Sequence, residues 1–122
     1  MTFNNNKAIY LQLAHSVADD ILAGRYGPDE RIPSVREFAG TIGVNPNTAV
    51  KAYEELARDG VIYNRRGLGF FVSPEARHHI LEKRKKEFFR DVLPEVAKTM
   101  RLLGISNDEL LEHINDITVT QD

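Results

Sequence analysis

The sequence predicts a mainly α-helical chain that carries one small β-hairpin. Apolar residues recur every three or four positions from the N-terminal region to Gly60, which is helical spacing. Residues 61–73 form two short β-rich runs around a glycine-containing turn, the pattern of a hairpin. After Pro74 the helical spacing returns, so we expect a further helical segment beyond the hairpin.

The composition excludes several classes of protein. With 42% hydrophobic and 28% charged residues, it is that of a globular protein. Cysteine is absent, which excludes disulfides and thiolate metal sites. No apolar run approaches the roughly 18 residues that span a bilayer, and the polar start MTFNNNK is unlike a signal peptide. We therefore expect a cytoplasmic protein with no membrane association.

The net charge of −2 does not by itself indicate a nucleic-acid partner. Residues 1–74 contain eight Lys or Arg and eight Asp or Glu, and residues 75–122 contain eight and ten. Any binding to phosphate therefore depends on where individual basic side chains lie rather than on the overall field.

The first two helices have clear ends. The first is predicted over residues 7–23, and Gly24 with the following Gly27-Pro28 pair ends it. The second begins at Ser34, because Glu37 three residues later completes a capping box. The predicted inward residues are Tyr10, Leu13, Ala14, Val17 and Ile21 in the first helix and Val35, Phe38, Ala39 and Ile42 in the second.

The third helix begins abruptly after Gly43. Asn45 suits an N-cap, and Pro46 follows at the first helical position, where its missing N–H has no cost. Gly60 ends the helix. Its predicted inward residues are Ala49, Val50, Tyr53, Leu56 and Ala57. The hairpin comes next, with glycines supplying the positive φ of its turn.

A long helix is predicted over residues 75–103, with a kink or break near Leu93 caused by Pro94. Its apolar face is too long for one short helix to cover, so we expect it to pack against a second copy of the chain. The residues assigned to this homodimer interface are Leu81, Phe88, Phe89, Val92, Val96, Met100 and Leu103.

A last short helix begins at a second capping box, formed by Ser106 and Glu109. The sequence is thus divided into an N-terminal domain over residues 1–74, a helical dimerisation region over residues 75–117 and a flexible tail over residues 118–122.

The break between the second and third helices is typical of a helix-turn-helix, whose second helix presents its first residues to base edges in the major groove of DNA. The start at Asn45 places Asn47, Thr48 and Lys51 on the leading outward face. Asn pairs with adenine, Thr contacts a thymine methyl group, and Lys reaches guanine or phosphate. The candidate DNA-binding residues of this helix are therefore Asn45, Asn47, Thr48 and Lys51.

Two further features suit the phosphate backbone. The N-terminus of the preceding helix, with Ser34 and Arg36, favours an anion. Arg65 and Arg66 beside Gly67 give the hairpin a basic tip suited to backbone or minor-groove contact. The N-terminal domain is therefore expected to be a winged helix-turn-helix that binds an operator in double-stranded DNA.

This region resembles the winged-helix domain of the GntR family of bacterial transcription regulators, over roughly residues 8–73. The Asn-Pro-Asn-Thr form and the short C-terminal segment resemble the small YtrA-type branch. The matching positions are Ile32-Pro33-Ser34, Arg36, Phe38-Ala39, Val44, Thr48, Ala52-Tyr53, Leu56, Gly60, Ile62, Gly67, Gly69 and Phe71-Val72.

The resemblance implies a dimeric repressor, often of transporter genes, that dimerises through two C-terminal helices. Three positions depart from the family pattern. Pro46 and Val50 stand where many members have a basic residue and an arginine, so guanine contacts at those positions are not carried over. Phe70 replaces a small hydroxyl residue in the wing, which is the hairpin of residues 61–73.

Other functions are weighed against this one. Winged helices also serve as protein-interaction modules, so docking without specific DNA binding stays open. An enzyme is not expected and no cofactor is predicted, since Gly67-x-Gly69 lacks the following helix of a dinucleotide fingerprint. The basic run over residues 82–86 is most simply a solvated helix face. His78 and His79 point in different directions on a helix, which disfavours a metal site. The sequence identifies no small-molecule effector.

Overall fold

The computed structural model describes residues 8–121, so the predicted helix start at Lys7 lies outside the described residues. The chain forms two compact units, one ending at Lys83 and the other beginning at Arg84. The first unit therefore extends beyond Pro74, where the sequence placed the boundary.

The elements follow the predicted order of three helices, a hairpin and further helices. They are α1 (Ile9–Leu22), α2 (Val35–Ile42), α3 (Pro46–Arg58), β1 (Ile62–Arg65), β2 (Gly69–Val72), α4 (Ala76–Glu87), a π-helical turn (Phe88–Val92), α5 (Leu93–Leu103) and α6 (Asn107–Gln121).

The predicted caps of α2 and α3 are confirmed. Ser34 and Glu37 form a capping box, and Gly43 ends α2 in the left-handed conformation with φ of 81°. The Asn45 side chain accepts a hydrogen bond from the Asn47 N–H at 2.8 Å, with Pro46 at the start of α3. These local contacts explain why the two helices are separated by so short a turn.

The core of the first unit forms between α1, α3 and the hairpin. Tyr53 lies at its centre, where its ring contacts Phe38 and Phe70 with centroid distances of 5.5 and 5.2 Å. Its hydroxyl donates to the Pro33 carbonyl at 2.6 Å, and burial raises its pKa. The remaining large buried side chains are Leu13, Val17, Ile21, Ile32, Leu56, Val61, Ile62, Val72 and Ile80.

The inward face of α3 differs from the prediction at two positions. Val50 and Ala57 were expected to point inward, but both are exposed, and Val50 has 38% of its surface accessible. The buried set is Ala49, Ala52, Tyr53 and Leu56, which follows the three- and four-residue spacing of one helix face. Val50 is one residue from Ala49 and is therefore rotated out of that face.

The hairpin pairs Ile62 with Val72 and Arg65 with Gly69 in antiparallel register. A segment that the sequence left unassigned, residues 29–32, pairs with the other edge of β2. The Asp29 N–H donates to the Val72 carbonyl at 2.8 Å, and the Ile32 N–H donates to the Phe70 carbonyl at 3.0 Å. Strand β2 is thus hydrogen-bonded along both edges, to β1 on one side and to residues 29–32 on the other.

Helix α4 begins as part of the first unit. Ala76 and Ile80 are buried in its core, and the Arg77 guanidinium donates to the Leu22 carbonyl at the end of α1 at 3.3 Å. This packing explains why the unit continues past Pro74.

The second unit confirms the predicted break near Leu93. The π-helical turn ends at Val92, and α5 begins at Leu93 with Pro94 in its first turn, where proline is tolerated. Ser106 caps α6 by accepting from the Glu109 N–H at 3.1 Å. Helix α6 continues to Gln121, so its end lies beyond the point that the sequence indicated. Across residues 8–121, no helix combines the length and apolarity needed to cross a bilayer.

Candidate nucleic-acid interface

The first turn of α3 presents an exposed face. Asn47 and Lys51 are four residues apart, so their side chains lie on the same side of the helix, and both are exposed. Val50, which the sequence assigned to the core, lies on this face beside them. Thr48 is half-buried at its edge. The face therefore combines an amide, an ammonium group and an apolar branched side chain.

Asn45 and Pro46 begin this helix rather than extend the face. The Asn45 side-chain oxygen accepts from the Asn47 N–H, so this oxygen is engaged in capping. Because the cap fixes the backbone of the first turn, it also fixes the direction in which the Asn47 side chain leaves the helix. The sequence-predicted role of Asn45 in capping is confirmed.

The N-terminus of α2 is capped by the carboxylate of Glu37, a residue of the same helix. The Ser34 N–H donates to Glu37 Oε1 at 3.2 Å, and Ser34 Oγ accepts from the Glu37 N–H at 3.1 Å. The hydrogen bond from the Ser34 backbone lowers the pKa of Glu37, with further contributions from the Ser34 hydroxyl and the Arg31 charge. Ser34 is thus engaged in the cap, and Arg36 is the exposed cation of this turn.

One basic residue of the wing, Arg65, lies over a stacked aromatic pair. The Arg65 guanidinium lies 5.4 Å from the centroid of the Phe71 ring, which stacks on Tyr63 at 5.8 Å. The Tyr63 hydroxyl donates to Asp29 Oδ1 at 2.7 Å, and this hydrogen bond raises the pKa of Tyr63. Arg66 and Gly67 follow at the exposed tip. The Arg65 side chain therefore has a defined support.

Arg31 joins two of these regions, and the sequence analysis assigned it no role. Its Nε donates to the Leu68 carbonyl at the wing tip at 3.0 Å, and its Nη2 lies 3.8 Å from Glu37 Oε1. The signal available in the sequence was an arginine directly before Ile32-Pro33-Ser34, in a segment without a regular pattern.

The carboxylates near the end of α3 are neutralised from α4. The Lys83 ammonium donates to Glu55 at 3.0 Å and also to Asp59, and Arg58 donates to Glu55 at 2.6 Å. Partial burial lowers the pKa of Lys83, but these hydrogen bonds outweigh that effect and raise it. Glu55 and Asp59, two acids that would repel DNA phosphates, are therefore paired with cations.

The histidines and the other polar groups offer no metal centre in the part of the chain that the structure describes. His79 lies 3.8 Å from Glu75, and its ring packs beside Gly60. Residues 8–121 contain no cluster of three or more His, Cys, Asp or Glu side chains that could hold a metal ion.

Most residues assigned to the dimer interface are exposed in the single chain. Phe89, for example, has 58% of its surface accessible. Met100 differs, since it is 8% exposed and is therefore already buried within the chain. The other exposed members of the assigned set are Leu81, Phe88, Val92, Val96 and Leu103. Exposed apolar residues that the assignment omitted are Leu93, Leu102, Leu111, Ile114 and Ile117.

Comparisons with known proteins agree with this geometry. The model of the family described as bacterial regulatory proteins, gntR family, matches residues 9–72. The transcriptional regulator YhcF of Bacillus subtilis is 37% identical over 116 residues, covering 95% of this chain and 94% of YhcF. The transcriptional repressor YtrA of the same organism is 34% identical over 110 residues, covering 90% and 84%.

A solved structure gives the same result. A regulator of the GntR family from Bacteroides thetaiotaomicron has a TM-score of 0.86 and 42% identity, over 93% of this chain and 100% of that one. The family and these relatives are transcription regulators rather than enzymes. Since the family match spans the helix-turn-helix and the wing, this chain belongs to the GntR family and is a DNA-binding transcription regulator.

Proposed function

We propose that this regulator is a dimeric repressor that binds a (pseudo)palindromic operator, with transporter genes among its targets. The observation that carries the proposal is the exposed first turn of α3, where Asn47, Val50 and Lys51 share one face. In a helix-turn-helix, the second helix presents the residues at its N-terminus to base edges in the major groove. A regulator of this kind acts on DNA in the cytoplasm.

Each residue of the face has a distinct role in the proposal. Asn47 pairs with an adenine, and Lys51 contacts guanine or phosphate. Val50 and the methyl group of Thr48 pack against thymine methyl groups. Asn45 acts by fixing the first turn, since its side-chain oxygen already accepts the Asn47 N–H.

The phosphate backbone is held from two sides of this helix. Arg36 lies at the start of α2, and Arg65, Arg66 and Gly67 lie on the wing. These contacts position the domain and carry little sequence information. Ser34 contributes through the cap of α2, in which its hydroxyl oxygen accepts from the Glu37 N–H.

Dimerisation supplies the second recognition helix. The exposed apolar side chains in the range 84–118 support a homodimer, because two copies would cover apolar surface that a soluble monomer rarely exposes to water. The two-fold symmetry would place two α3 helices toward half-sites about one or two DNA turns apart. YtrA is named as a repressor, which supports the same sign of regulation here.

The test selects operator DNA with the pure full-length protein and then compares variants by competition binding. Asn47→Ala is expected to lose about 1–3 kcal/mol of discrimination at one base pair, the value of a good bidentate contact. Asn107→Ala, the same chemical change at an exposed position of α6, is the matched control.

Unchanged affinity and base preference in Asn47→Ala would exclude this residue as a reader. Failure of the parent protein to enrich any DNA sequence would instead favour the protein-interaction module. Lys51→Ala separates base from phosphate contact, because a lost phosphate contact lowers the salt slope by about 0.9.

A further inference from the structure

The side chain of Arg31 contacts both the wing tip and the start of α2. The guanidinium faces two acceptors that are separated along the chain. Its Nε donates to the Leu68 carbonyl at 3.0 Å, and its Nη2 lies 3.8 Å from Glu37 Oε1. Glu37 is in turn held by Ser34 through the capping box. A continuous path of polar contacts therefore runs from the wing tip to the first turn of α2.

The backbone at the tip is shaped to receive this side chain. Gly69 has φ of +105°, which L side chains rarely adopt, and a Cβ at this position would lie 3.2 Å from Arg31 Nε. The Leu68 N–H donates to the Arg65 carbonyl at 2.8 Å, which closes the turn, and the Leu68 carbonyl accepts from Arg31. A side chain at residue 69 would therefore crowd the guanidinium, which would have to shift by a few tenths of an ångström.

Arginine is suited to this double contact because its guanidinium is planar and its donors have fixed directions. Nε and Nη2 point along the same edge of the group, so one side chain can meet a carbonyl and a carboxylate together. Lysine carries the same charge as a single ammonium group and cannot hold both acceptors in this geometry.

We propose that Arg31 is a positioning residue that holds the wing tip in a fixed relation to the N-terminus of α2, so that both engage one DNA backbone together. The proposal rests on the DNA-binding function proposed above. It assigns Arg31 an indirect role: the contacts with phosphate are made by Arg65 and Arg66, and Arg31 keeps them in place.

The first experiment measures operator binding by full-length Arg31→Ala and Arg31→Lys against salt concentration. Both variants are expected to bind about tenfold more weakly, the loss that follows from one hydrogen bond of ordinary strength. Arg25→Ala is the matched control, because Arg25 is an exposed arginine of the same unit that pairs with Asp20 at 3.3 Å. It is expected to bind like the parent.

A double-mutant cycle separates positioning from direct contact. In the Arg65→Ala/Arg66→Ala background, Arg31→Ala is expected to leave the salt slope unchanged, because the contacts it positions are already absent. A further fall of about 0.9 in the slope would mean that Arg31 itself touches phosphate and would overturn the proposal.

A second measurement needs no DNA. Amide hydrogen exchange of the full chain is expected to quicken at the wing residues in Arg31→Ala and Arg31→Lys and to stay unchanged in Arg25→Ala. Parent-like exchange and parent-like binding in Arg31→Lys would overturn the proposal while leaving the proposed function intact. Failure of the parent to bind any operator would overturn both, so the two failures are distinguishable.

Discussion

The two compact units differ in where their apolar residues lie. All but one of the buried apolar side chains that the structure describes belong to the unit ending at Lys83, the exception being Met100. Among the described residues, ten of the fourteen exposed large hydrophobic residues lie beyond it, including Leu102 with 85% of its surface accessible. The first unit thus has a core of its own, whereas the second has apolar surface without one. This difference supports the proposed homodimer, in which a partner surface would complete the second unit.

The largest effect is expected from breaking that partner surface. The full-length chain should sediment as a dimer, and Phe88→Glu/Phe89→Glu should sediment as a monomer, because two carboxylates cannot be buried without charged partners. Operator affinity should fall by about 10² or more, since the two recognition helices no longer act at high effective concentration.

Lys98→Glu is the control for that experiment, because it places a new carboxylate on α5 at an exposed polar position. A parent chain that sediments as a monomer at micromolar concentration would contradict the proposed homodimer. A chain ending at Glu87 provides a second test of the difference between the two units. It retains the buried Ala76 and Ile80 and should therefore fold as a monomer.

The next largest effect concerns the core of the first unit. Leu13 is fully buried, so Leu13→Ala should destabilise the protein by about 2–5 kcal/mol. The same change at Leu68, which is 57% exposed on the wing, should stay within about 0.5 kcal/mol. Urea unfolding at one fixed protein concentration measures both, because the stability of a dimer depends on concentration. Equal costs at the two positions would mean that the core is not where the structure places it.

A smaller effect is expected from the support of α3 by α4. Lys83→Met removes the cation that pairs with Glu55 and Asp59, and because Lys83 is partly exposed the cost should be at most about 1 kcal/mol. Operator binding should also weaken slightly, since Asp59 and Glu55 lose the charge of Lys83, although Glu55 keeps its pair with Arg58. Lys86→Met, an exposed lysine of the same helix, is the control. Equal stability and binding of the two variants would mean that Lys83 does not support α3.

The smallest effect is the pH dependence of the capping box. The folded pKa of Glu37 lies below the ordinary value of 4.5, so its ionised form stabilises the folded state above that value. This stabilisation should be lost as the pH falls from 4.5 through the lowered folded pKa. Glu37→Gln lacks the titration, so the difference in unfolding free energy between parent and variant should shrink over that acid range. A difference that is constant with pH would contradict the assignment.

Much of the candidate site could be predicted because its signals are local. Ser34 with Glu37 and Asn45 with Pro46 determine where α2 and α3 begin, since a cap involves residues within one helical turn. The glycines at the wing determine its turn for the same reason. Asn47 and Lys51 could be placed on an exposed face as soon as the start of α3 was known.

Only the tertiary structure decided the contacts between segments that are distant along the chain. Arg31 meets Leu68 across 37 residues, and Lys83 meets Glu55 across 28. Neither pairing leaves a pattern in the sequence, because it depends on how the elements pack. The exposure of Val50 could not be predicted for the same reason. Val50 is apolar and follows the buried Ala49, so the sequence pattern assigns both residues to the core, and only the packing of α3 shows that Val50 faces outward. Local hydrogen bonds determined the elements of this protein, and packing determined which side chains they leave facing outward.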